Sequence, residues 1–166
     1  MADWLWAVIR WFHLVALAFW LGGQLFLFLV VRPVLRAAIP DRVPRVELTA
    51  ALGHRYSPLA WLSLGVMVVT GWLLGVHRGV DWFALLAWRD GYGRVLATKM
   101  VLVGLVLALT LAHGRLIGPR LARSTRTATT AGGERASSLG RWSIAVSVAN
   151  LVLTLAVVLL AARLVP

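Results

Sequence analysis

The sequence contains no cysteine. That excludes disulfides, thiolate metal sites and redox thiols outright. Carboxylates are scarce too, with 6 Asp+Glu against 17 Lys+Arg and a formal net charge of +11. Charged residues make up 14% of the chain, against about 25% in an average soluble domain. Lysine occurs once, as Lys99. Apolar residues make up 60% of the chain where about 45–50% is ordinary, and mean hydropathy is +0.83. A water-soluble domain of 166 residues has too little interior to hide that much apolar side chain. In a soluble protein such a basic excess would point to nucleic acid. Here the basic residues punctuate apolar runs, so the expected counter-charge is anionic lipid headgroups and not nucleic acid. The chain reads as an integral membrane protein.

Crossing a hydrocarbon core takes about 20 apolar residues. Four stretches qualify, at roughly residues 4–31, 58–76, 95–117 and 144–165. The first is too long for a cleavable signal, contains His13 and Gln24, and has no small-x-small site after it. Open sheets cannot satisfy their backbone in lipid, so the expected fold is all-α, a single four-helix membrane bundle. Eleven arginines lie in the first and third connections and five on the other side. The positive-inside bias then places those connections in the cytoplasm and both termini outside, across a bacterial-type plasma membrane. Trp4, Trp6, Trp72, Trp82 and Trp88 form the outer aromatic belt in this reading, with Trp61 and Trp142 on the inner one.

The connections differ in kind. The first carries Pro40 and Pro44, then a stretch up to His54 that suits an interfacial helix. Ser57-Pro58 reads as a helix start, with Ser as cap and Pro at the first position. Residues 81–88 are short, aromatic and suited to the headgroup region. The third connection, about 120–141, is rich in Ser, Thr, Gly and Ala and reads as a mobile cytoplasmic loop.

Polar side chains inside a span are expensive and therefore need a reason. By depth they sort into an outer group, His13, His77 and Lys99, and an inner group, His54 and His113. Lys99 and His113 stand 14 residues apart on one helix, about 21 Å along the axis and within roughly 40° of one face. Two positions so placed suit two stacked sites, one in each leaflet. Neutral imidazole is a common axial ligand to haem iron, and helix bundles build such sites from facing side chains. A lysine amine ligates only if burial frees its lone pair; otherwise it snorkels to the headgroups. His77 precedes Arg78 at a helix end and equally suits a solvated cap, while His54 and His113 have arginines nearby. Ser143, Ser147, Asn150 and Thr154 share one helical face and read as polar glue between helices. Gly22-Gly23 reads as a close helix approach, although a flat cofactor against the backbone would also need small residues there.

His13-x6-Trp20-Leu-Gly22-Gly23 resembles the opening motif of CopD-domain membrane proteins. Tyr92-Gly93-Arg94, Lys99 and the run to His113-Gly114-Arg115 resemble that family's third helix, so the resemblance spans all four helices. The His–Trp spacing and intramembrane lysine are also similar to the HemJ-type protoporphyrinogen oxidases. That second resemblance implies haem b, with His13 and Lys99 in the positions that matter for it. The CopD name implies copper transport or resistance. The sequence departs from both, having no Met or Cys cluster for copper and a displaced downstream histidine.

The leading expectation is therefore a haem b protein with an electron-transfer or haem-handling role in the bilayer. His13 would be the axial ligand, with Lys99 or His77 opposite it. His54 and His113 are candidates for a second, inner haem. If the protein is an enzyme, it would be a HemJ-like membrane oxidoreductase. Copper transport or resistance is the alternative reading, with His13 and His77 as candidate outer-side ligands. A third is an accessory subunit of a larger membrane complex, with a homo-oligomer also open.

Overall fold

A computed structural model describes residues 2–80, 91–117 and 132–163. Every described segment with regular structure is helical, in the order α1 (Ala2–Phe26), a π-helical turn (Leu27–Val31), α2 (Arg32–Ala38), α3 (Arg42–His77), α4 (Gly91–Ala112) with a second π-helical turn (His113–Ile117), and α5 (Gly132–Arg163). Four segments are long and apolar enough to cross a membrane: Asp3–Ala38, Arg42–His77, Gly93–Arg115 and Gly140–Arg163. Between 6% and 17% of their most apolar windows is buried. Leu, Val, Phe and Trp side chains cover the outer surface of these helices, among them Trp4 at 78% and Leu62 at 65% exposed. Only lipid tails tolerate such a surface at this scale. The protein is an all-helical, multi-pass membrane protein.

Two prolines show how lipid changes the local rules. Pro33 follows the π-helical turn Leu27–Val31, so α1 and α2 run on as one rod. A wider turn takes up the displaced carbonyl geometry that a proline ring imposes four residues upstream. Pro58 is the second case, and it overturns an expectation. It does not start a helix but lies inside α3, sixteen residues after Arg42. The stretch up to His54, expected as a separate interfacial helix, belongs to the same α3. Pro58 removes the amide that would bond the His54 carbonyl, a loss membrane helices tolerate better than soluble ones. At 36 residues, α3 extends about 54 Å, well beyond a hydrocarbon core of about 30 Å. Its first half carries the charged residues Arg42, Arg45, Glu47 and Arg55.

The loop expected over about 120–141 is also corrected in part. Residues 132–141 are helical, the first three turns of α5, while 118–131 lie outside the described residues. The aromatic connection at 81–88, with Trp82 and Trp88, lies outside them as well.

The chain divides into two compact units. The first comprises Met1–Pro40 and Ala51–Trp82, which makes it an antiparallel hairpin of α1 and most of α3. The second comprises Asp41–Ala50 and Phe83–Pro166, in which α4 packs along α5. Apolar and small polar residues together line the buried seam of each unit. In the first they are Ala16, Trp20, Ala60, Ser63, Leu64 and Thr70. In the second they are Leu96, Val106, Asn150 and Thr154.

Of the expected polar glue on α5, Asn150 and Thr154 are buried and Ser143 and Ser147 half-buried. The face does turn inward. Its hydroxyls, however, bond their own helix: Ser147 donates to the Ser143 carbonyl and Thr154 to the Asn150 carbonyl, each at 2.8 Å. Such back-bonding four residues upstream hides a hydroxyl in lipid without a partner helix.

Candidate functional site: an oriented imidazole in the first hairpin

His13 stands halfway along α1, with its ring half-buried against α3. Its Nδ1 lies 2.8 Å from the Thr70 hydroxyl. That hydroxyl also lies 2.5 Å from the Val66 carbonyl, to which it donates. A threonine hydroxyl has one proton. Since the carbonyl takes it, Thr70 can only accept from the ring, and His13 Nδ1 carries the hydrogen. This assigns the tautomer from the bonding network. In the neutral ring the lone pair is then on Nε2.

Gly71 completes the seat. A Cβ there would come within 3.2 Å of His13 Cε1, tighter than ordinary contact, so glycine makes room for the ring. Thr70 bonds its Nδ1 and Gly71 leaves room beside Cε1. Second-shell bonds of this type hold metal-ligating histidines in orientation and tautomer. Neither Thr70 nor Gly71 stands out in the sequence, because their role depends on the register of two helices distant in the chain.

That register also settles where His77 goes. His77 stacks on Trp6, with ring centroids 3.8 Å apart and planes 13° from parallel. The pairs Trp6–His77 and His13–Thr70 each step by seven residues on both helices, as an antiparallel hairpin requires. His77 therefore sits two turns from His13, about 10 Å along the axis. The two histidines do not meet, although depth alone had grouped them.

Toward the other end of the hairpin, Tyr56 reaches back to α1. Its hydroxyl lies 3.1 Å from the Phe19 carbonyl and 3.3 Å from that of Trp20. Its ring lies over Gly23, where any Cβ would overlap the phenol. The close approach expected at Gly22-Gly23 is thus made by a side chain on one glycine only. Gly22 faces open space. His54 is exposed on α3, four residues before Pro58.

Lys99 and His113 belong to the second unit. Lys99 is half-buried, eight residues into α4. His113 opens the second π-helical turn, and its Nδ1 is buried with no hydrogen-bond partner among the described residues. Helical π-turns frequently mark functional positions. Among the described residues no three His, Asp or Glu side chains gather as a metal-binding group.

Among protein families, the model for copper resistance protein D, CopD, matches residues 50–164. No curated protein and no solved structure matches the chain. The resemblance to HemJ-type oxidases has no counterpart in these results. The family match also covers less than the motifs suggested: it takes in most of α3, then α4 and α5, and stops short of α1 with His13 and Gly22-Gly23. It still spans more than half of the sequence, and the chain belongs to the CopD family.

Proposed function

We propose that the protein carries copper within or across the plasma membrane, with His13 as its intramembrane donor. The observation that supports this reading is the Thr70–His13 bond, which directs an imidazole lone pair inside a span. Imidazole nitrogen suits copper. With no cysteine in the chain, histidine is the strongest donor available to it. One oriented imidazole gives the loose hold that a passing ion needs, since conduction requires binding weak enough to release. His77, two turns away, provides the next station along the same hairpin. Lys99, His54 and His113 are proposed as secondary positions, and both termini are placed outside.

Copper content of cells overproducing the protein should depart from that of the empty-vector strain, and His13→Ala should abolish the difference. Unchanged copper in cells producing the wild-type protein would sink the reading. The visible spectrum of the purified protein tests the haem alternative in the same preparation. A Soret band that His13→Ala removes would replace copper by haem b as the ligand of this histidine.

A further inference from the structure

The first hairpin carries an open apolar groove of about 650 Å3, independent of the His13 site and of any metal reading. Phe19, Gly22, Phe26, Leu52 and Leu59 are among its lining residues, and Arg55 brings a cation to it. Along α1 and the π-helical turn after it, the groove follows residues 18–31, about 20 Å of helix axis. One leaflet of a hydrocarbon core is about 15 Å deep, so the groove accommodates the length of a lipid chain.

Its two ends differ in chemistry. The Ala18 and Leu59 end lies beside the apolar stretch of α3, whereas Val31 and Leu52 mark the other, with Arg55 about one turn in from Leu52. Arg32 and Arg36 follow directly on the same rod as Val31. The Arg32 guanidinium lies 5.5 Å from the centre of the Phe28 ring. An occupant must therefore be long and apolar along most of its length and anionic at one end.

We propose that this groove binds one acyl chain of an anionic phospholipid, whose headgroup phosphate pairs with Arg55. Phe19, Phe26 and Leu59, each more than half exposed in the chain alone, flank that chain. Gly22 keeps the groove open, because a side chain at this position points into empty space.

Native mass spectrometry of the full-length protein, released from vesicles of phosphatidylglycerol and phosphatidylcholine mixed equally, tests both features. Wild type should retain phosphatidylglycerol in preference to phosphatidylcholine. Arg55→Gln should cut that preference roughly tenfold, the usual weight of one charge-assisted hydrogen bond. Gly22→Leu should reduce retention of both lipids, and helical circular dichroism would establish that it folds. Gly22→Ala, a smaller intrusion, should give an intermediate loss. Equal retention of the two lipids by wild type would overturn the proposal. So would unaltered retention in folded Gly22→Leu, or dimers of the wild type from which lipid is absent.

Discussion

Gly23→Ala should destabilise the protein by about 0.5–4 kcal/mol, while Gly22→Ala next to it should be neutral or slightly stabilising. The two glycines are adjacent on one helix and face different surroundings. A Cβ on Gly23 would overlap the Tyr56 phenol, whereas one on Gly22 would meet nothing within 4 Å. Overpacking a fitted contact costs about 1–3 kcal/mol. If Tyr56 swings away to relieve it, its hydroxyl also gives up the Phe19 and Trp20 carbonyls, about 0.5–1.5 kcal/mol for a typical bond. Alanine recovers about 0.5–1 kcal/mol of helix propensity at either position. At Gly22 that gain is unopposed. Equilibrium unfolding in mixed detergent micelles reads the difference. Tyr56→Phe should lose only the hydroxyl contribution, and Gly23→Ala should cost much less in a Tyr56→Ala background. Equal stability of Gly23→Ala and wild type would show that the tyrosine does not rest on that glycine.

The membrane spans were legible because nothing except lipid accounts for runs of such length. Helix ends were less so, and the reason is visible in particular residues. Ser57-Pro58 carries a strong start signal in water, where a proline inside a helix costs about 3 kcal/mol. In this chain it lies within α3. Glu134, Arg135, Ala136 and Leu139 are good helix formers, yet the Ser, Thr and Gly around them read as loop and concealed the first turns of α5. At the site, His13 was conspicuous as an ionisable group in a span. Its partner was not. Thr70 is one polar residue among several on apolar helices, and its bond to His13 spans 57 positions of sequence. Depth along a helix was readable, but azimuth and register were not, so His77 was grouped with a histidine two turns away. The contact of Tyr56 with Gly23 is hidden in the sequence for the same reason.

Thr70→Val should release His13 from a single tautomer and weaken metal binding by about 10–100-fold, the usual effect of losing a partner that orients a ligand. Valine keeps the shape of threonine but removes the acceptor. The ring Nδ1–H then loses its bond in a half-buried site, at a cost of about 1–3 kcal/mol in stability. Imidazole nitrogen NMR of the metal-free protein reads the tautomer directly: wild type should show the proton on Nδ1, and Thr70→Val a mixture or a shift to Nε2. Thr70→Ser keeps the hydroxyl and should restore most of the wild-type signal. Gly71→Ala crowds the same ring by packing instead, with the added Cβ 3.2 Å from Cε1 and 3.8 Å from Nδ1. It should move the ring without altering which nitrogen is protonated, because the Thr70 acceptor remains. The pair therefore separates orientation by hydrogen bond from orientation by packing. If Thr70→Val binds copper as well as wild type and keeps the proton on Nδ1, the threonine does not set the tautomer, and His13 loses its claim to be the oriented donor.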